Sequence, residues 1–192
     1  MSRFLIAGLG NIGQEYAHTR HNIGFDMADA LVLKHGGMFK TERLADVASF
    51  HLKGREITVI KPATYMNLSG RAVRYWMDHK KVELGQLLVL VDDIALPLSK
   101  LRLRPSGSPA GHNGLKSIQE MLNTADYPKL RFGVGNDYPK GMQVEFVLGR
   151  WTNEELPLVR LKVEKAVEVI ENFIFTGIER TMTEVNKKEF IV

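Results

Sequence analysis

Two periods of apolar and polar residues alternate along this chain, and each change of period marks an element. Phe4-Leu5-Ile6-Ala7 is an unbroken apolar run that stops at Gly8, the pattern of a buried strand ending in a tight loop. Ile23, Met27, Ala30 and Leu31 then recur at helical spacing until Gly36-Gly37. Residues 47–52 and 56–60 flank Lys53-Gly54-Arg55 as the strands of a hairpin. Val73, Trp76 and Met77 mark a helix, and residues 87–91 are apolar on both faces, as a central strand is, before Asp92-Asp93 closes the run. Lys100, Arg102 and Arg104 alternate with Leu101 and Leu103, which predicts a strand with its three cations on one face. Beyond a flexible, lid-like turn at residues 105–109, Ala110-Gly111-His112-Asn113-Gly114 opens a helix striped by Leu115, Ile118 and Leu122. Its free N–H groups and dipole predict a seat for an anion or polarised oxygen beside His112 and Asn113. Residues 129–134 make another strand, carrying Arg131, and Thr152-x-x-Glu155 is a capping box. That box starts a long helix striped by Leu156, Val159, Val163, Val167, Ile170 and Phe173, and a short helix follows over about 177–188.

Interleaved strands and helices define an α/β fold, and the hairpin makes the sheet mixed. The expected architecture is one domain over residues 1–192: a three-layer sandwich with a mixed, mainly parallel central sheet and helices on both faces. At 192 residues the chain can bury a full core, and no apolar run approaches the roughly 18 residues of a membrane helix. The opening apolar run is too short for a secretory leader, so a soluble cytoplasmic protein with no membrane partner is expected. The lack of cysteine excludes disulfides, thiol nucleophiles and thiolate-bound metals. Net charge is only +4, but residues 57–77 and 94–119 contain no acid while carrying Lys61, Arg71, Arg74, Lys100, Arg102, Arg104 and Lys116. Such stretches can hold a polyanion near a site.

Polar residues gather where strands end. The first loop offers Asn11, Tyr16 and His21; the second Tyr65, Met66 and Asn67; the third Asp92; the fourth His112 and Asn113. Gly8-x-Gly10-x-x-Gly13 imitates a dinucleotide fingerprint, but residues 14–20 are a polar detour rather than a helix, and no acid follows at the required position. The set suits a site that positions a substrate through neutral amides and moves a proton through histidine. His21, Asp92 and His112 would be the ligands of a metal-dependent alternative, yet none has tight ligand spacing, and no metal or other cofactor is expected.

Three motifs resemble the bacterial peptidyl-tRNA hydrolase family over essentially the whole chain: Gly8-Leu-Gly-Asn-Ile-Gly…Glu15-Tyr16…Thr19-Arg-His21-Asn22-x-Gly24, Lys61-Pro…Met66-Asn67-x-Ser69-Gly70, and Gly111-His112-Asn113-Gly-Leu-Lys116. Arg131-x-Gly-x-Gly and Phe146-Val-Leu-Gly149 follow in the family's order. The resemblance implies an enzyme, acting as a monomer, that hydrolyses the ester between a peptide and the 3′ end of tRNA. It implies His21 as the base and Asp92 as the group holding it, with Asn11 beside them. Met66, Asn67, His112 and Asn113 would line the peptide and 3′-end site, Tyr16 and Tyr65 would touch the tRNA end, and Arg104 and Arg131 would clamp its phosphate. The chain departs from the family's usual pattern at Ile12, where proline is common, at Pro109-Ala110, and at Ala95, where many relatives carry an acid. The chemistry fits the residues: an activated ester needs a water, a base and an oxyanion donor, for which Asn67 and Asn113 are both available. A non-catalytic RNA-binding relative would keep the basic strand without needing His21 and Asp92.

Overall fold

The computed structural model describes Met1–Val192. Seven strands form one sheet: β1 (Arg3–Gly8), β2 (Lys40–Glu42), β3 (Ala45–Leu52), β4 (Arg55–Pro62), β5 (Leu87–Asp93), β6 (Leu101–Arg104) and β7 (Lys129–Gly133), in the order β2-β3-β4-β1-β5-β7-β6. Pairing is parallel through the centre, from β4 across β1 and β5 to β7, and antiparallel at both margins. The helices are α1 (Ile23–Lys34), α2 (Ser69–Lys80), α3 (Asn113–Leu122), α4 (Gln143–Val147), α5 (Leu156–Thr176) and α6 (Ile178–Val185).

The unbroken apolar runs are explained by two cores, one on each face of the sheet. In β1, Phe4 and Ile6 join Met27, Leu31, Val167 and Ile170 of α1 and α5, while Leu5 and Ala7 join Val73, Trp76, Leu115 and Ile118 of α2 and α3. A strand covered on both faces has no polar side to offer, so periodicity of two vanishes from its sequence. No helix is long and apolar enough to cross a membrane.

The hairpin turns on Lys53 and Gly54, both with positive φ (46° and 80°), the twist that suits a two-residue connection. Thr152 and Glu155 do form the reciprocal pair of a capping box: the Thr152 N–H donates to Glu155 Oε1 (2.9 Å) and the Glu155 N–H to Thr152 Oγ1 (3.2 Å). The box occupies a turn and the helix begins just after it, at Leu156. Two elements were not expected, β2 and α4. Neither buries a single residue, so neither carries an apolar period. At the far margin, β6 has only β7 as a strand neighbour. Asn186 lies against its open side and satisfies Leu103 twice, accepting from its N–H (2.8 Å) and donating to its carbonyl (2.9 Å).

Backbone contact brings the site-bearing loops together. A Cβ on Gly24, at the start of α1, would lie 2.5 Å from both the Leu9 nitrogen and the Leu90 oxygen, so α1 sits directly on the ends of β1 and β5. One on Gly70 would lie 2.3 Å from the Ser117 carbonyl, and the Gly70 N–H donates to Ser117 Oγ (2.9 Å). The crossing of α2 and α3 therefore tolerates no side chain at that position.

One residue of α5 defies the pattern. Lys162 lies three places beyond Val159 and four before Ala166, on the buried stripe, and is wholly enclosed. Its Nζ donates to the Gly133 carbonyl (2.8 Å) and lies 3.8 Å from the centre of the Phe132 ring. No acid pairs with it, and burial pushes its pKa from 10.5 down to about 7. Between those values the unfolded chain holds a proton that the folded chain does not, so this lysine makes stability rise as pH rises from about 7 to 10.5. Lys162→Met should abolish that rise and be relatively most stabilising at or below pH 7. Denaturant midpoints of wild type and variant across this range check it; parallel curves would show that Lys162 does not titrate in the fold.

Candidate active site

The Thr19-Arg20-His21-Asn22 loop is pinned one residue at a time, each to a different part of the fold. Thr19 Oγ1 donates to the Tyr16 carbonyl (2.8 Å), closing the loop on itself. Arg20 reaches Phe146 and Glu155. Asn22 accepts from the Asn11 N–H (2.8 Å) and donates to the Asn11 carbonyl (2.9 Å), locking the two halves of the loop together. With its neighbours fixed, His21 directs its ring at the end of β5.

Asp92 receives it there. In β5, Leu88 and Leu90 face α1, and Asp92 is next in that row, so it emerges where the His21 loop enters α1. His21 Nδ1 lies 3.0 and 2.9 Å from the two Asp92 oxygens, and His112 Nε2 lies 2.9 Å from Oδ1. Burial alone would raise the Asp92 pKa, but His112 first, and His21 with it, hold the carboxyl well below the usual carboxylate range. An ionised carboxylate only accepts, so both imidazoles donate to it.

The backbone fixes the protons further. His112 Nδ1 accepts from the Gly114 N–H (3.1 Å) and the Leu115 N–H (3.4 Å). A backbone N–H cannot accept, so His112 is a neutral imidazole with its proton on Nε2. His21 donates through Nδ1, and its Nε2 has no protein partner. The expected anion seat at the start of α3 is thereby narrowed: His112 is itself the N-cap and takes the Gly114 and Leu115 N–H groups, which leaves that of Asn113. The same protons bear on a metal. His21, Asp92 and His112 could bring three ligand atoms within 4.8 Å of one another. To free Nε2 as a ligand, however, His112 would have to move its proton to Nδ1, against the Gly114 N–H. The geometry favours a proton-handling group over a metal centre.

Around this centre lies an open cavity of about 340 Å³. It gathers Asn11, His21, Tyr65, Met66, Asn67, Asp92, His112, Asn113 and Arg131, all singled out from sequence, and leaves Tyr16 and Arg104 outside its lining. Asn11 Oδ1 accepts from the Met66 N–H (2.8 Å), which fixes its amide so that the NH₂ end is free. Arg131 is buried; it donates to the Ser108 carbonyl (2.9 Å) and lies 3.7 Å from Asp93, anchoring the turn that precedes α3. Across the β6–β7 pair, Arg102 faces Arg131 and Arg104 faces Lys129. Four cations thus share one face, yet Lys129 is enclosed and its pKa is pushed down to about 8, chiefly by burial, so Arg104 is the exposed member. Sequence reasoning missed one wall of the cavity, formed by Gln143, Val144, Val147 and Leu148 on and beside α4. Val147 and Leu148 belong to the Phe146-Val-Leu-Gly149 motif, to which no site role was given, and Gln143 and Val144 lie outside it.

Comparison with known proteins gives a consistent result. A family model described as peptidyl-tRNA hydrolase matches residues 5–191. The chain is 51% identical over 186 residues to the peptidyl-tRNA hydrolase of Phocaeicola vulgatus, covering 97% of this chain and all of that one. It is 52% identical over 184 residues to that of Porphyromonas gingivalis, covering 96% of this chain and 100% of the relative. The crystal structure of peptidyl-tRNA hydrolase from Acinetobacter baumannii superposes with a TM-score of 0.91 at 28% identity, covering 97% of this chain and 95% of that chain. A methylthioadenosine nucleosidase from Arabidopsis thaliana, 11% identical with a TM-score of 0.56 over 92% of this chain and 97% of its own, shares the fold alone.

The proton assignments are open to direct test. Nitrogen-15 NMR of the imidazoles at neutral pH should show His112 as the Nε2–H tautomer and His21 as the Nδ1–H tautomer. An Nδ1–H signal from His112 would contradict its role as cap and donor.

Proposed function

The chain belongs to the peptidyl-tRNA hydrolase family, and on that premise we propose that it hydrolyses the ester joining a peptide to the 3′ ribose of tRNA, with His21 as general base. One observation carries the mechanism: Asp92 takes an N–H from each of two imidazoles, which leaves His21 Nε2 as the free base in the cavity. Nε2 removes a proton from water as the water oxygen attacks the ester carbonyl. Asp92 stabilises the imidazolium that forms and keeps the ring in its working tautomer, the orienting role of the acid in hydrolytic triads. When the tetrahedral intermediate collapses, the bond from carbonyl carbon to ribose oxygen breaks, and that oxygen takes the proton back from His21. Asn67 and Asn113, exposed on the cavity rim, are the neutral donors available to the oxyanion.

The tRNA body lies, in this proposal, along the β6–β7 pair, where Arg102 and Arg104 share a face with Arg131. Arg104 and Tyr16 serve the nucleic acid beyond the cavity, and Tyr65, which is exposed on its lining, meets the 3′ end. The proposed enzyme works as a cytoplasmic monomer, a single domain over residues 1–192. Light scattering of the enzyme at assay concentration would expose a dimer.

Two experiments test the reading. His21→Ala should lower kcat for N-acetyl-aminoacyl-tRNA by at least about 100-fold with KM little changed, the loss expected for general-base catalysis. Activity within a few-fold of wild type would reject His21 as the base. The second concerns the substrate's nitrogen, an amide in peptidyl-tRNA and largely an ammonium in aminoacyl-tRNA. Since Met66 occupies Oδ1, Asn11 presents only N–H donors, which suit a peptide carbonyl and repel an ammonium. Asn11→Asp should narrow the kcat/KM preference for N-blocked over free aminoacyl-tRNA. An unchanged ratio, with both rates lowered equally, would mean that Asn11 only shapes the loop.

A further inference from the structure

The helix α4 supplies a wall of the cavity and meets the core through Phe146. It spans only five residues and buries none of them, and a helix so short is unstable by itself. Between Asn136 and Gly149 only two hydrogen bonds leave the segment, and Arg20 makes both. Its backbone N–H donates to the Gly149 carbonyl (3.0 Å) and its Nη1 to the Phe146 carbonyl (3.1 Å). The guanidinium lies 4.2 Å from the Phe146 ring centre and 5.3 Å from that of Trp151. Its Nη2 donates to Glu155 Oε1 (2.8 Å), the same oxygen that accepts from Thr152 in the capping turn before α5. A single buried side chain, adjacent in sequence to His21, therefore ties the α4 wall to the base on one side and to the start of α5 on the other.

We propose that Arg20 is a positioning residue for the acyl part of the substrate: it fixes the α4 wall, with Val144, Val147 and Leu148, at a set distance from His21. The inference rests on the reading of the cavity as a peptidyl-tRNA site, but its structural half stands apart from that reading. The planar fork explains the choice of residue. Arginine reaches a carbonyl and a carboxylate at once while lying flat on aromatic rings, whereas lysine offers a single point of attachment. Arg20 takes no proton and meets no reacting atom. Its loss should loosen substrate binding while the proton path from His21 to Asp92 stays intact.

The test uses the full chain with Arg20→Lys and Glu155→Gln, each assayed well below its own melting temperature. Arg20→Lys should raise KM for N-acetyl-aminoacyl-tRNA about tenfold or more and lower kcat less than about threefold, since misplacing a binding wall costs affinity before chemistry. The acid limb of the pH–kcat profile should not move. Hydrogen exchange without substrate should show amides 143–149 losing protection relative to those of α5. Glu155→Gln keeps the Phe146 bond and should produce the same changes to a smaller degree; it carries the test if Arg20→Lys does not fold. A folded Arg20→Lys enzyme with wild-type KM and wild-type protection at 143–149 would overturn the proposal, as would a displaced acid limb. Loss of protection with no tRNA hydrolysis in the wild type would leave the tether standing and reject the substrate reading instead.

Discussion

A carboxylate enclosed by protein is tolerable only where donors replace its water, and Asp92 is that carboxylate. Its two donors are the imidazoles of His21 and His112. That arrangement leaves the pair of histidines with unequal duties. His112 is saturated, with Asp92 on one nitrogen and the helix backbone on the other. His21 has one nitrogen engaged and one free. The fold serves this asymmetry: β5 ends at the right depth, α1 rests on it through Gly24, and α3 starts with a cap that is also a donor.

Much of this was legible in the sequence because the strands and helices follow the faces they bury. The runs at β1 and β5 and the stripe of α5 reflect contact with a core, and the hairpin turn reflects the positive φ of Lys53 and Gly54. Where an element buries nothing, as in β2 and α4, the sequence carries no period to detect. His112 was misjudged for a different reason. A helix start followed by Asn-Gly promises free N–H groups, but an imidazole in the capping position can take two of them itself. Lys162 was invisible because a long polar side chain within an apolar stripe ordinarily turns to solvent, and here the Gly133 carbonyl offers it a place inside.

The basic residues divide in the same way. Sequence alone counts cations, whereas the structure separates those that work inside from those left for a partner. Arg131 anchors the turn before α3, and Lys129 donates to the Ala125 and Tyr127 carbonyls beneath it. Arg20 belongs with them, interior despite its charge. These interior cations lie outside the acid-free stretches, whose own Arg71, Arg74, Arg104 and Lys116 are exposed on α2, β6 and α3.

That strand is also the open margin of the sheet, and an open margin invites another chain to extend it. Asn186 answers the invitation with a side-chain amide that imitates a neighbouring peptide group at Leu103. A foreign strand finds that rung already occupied, while Arg102 and Arg104 stand clear of the ladder's hydrogen bonds. The same few residues thus guard against sheet-to-sheet aggregation and keep the basic face open.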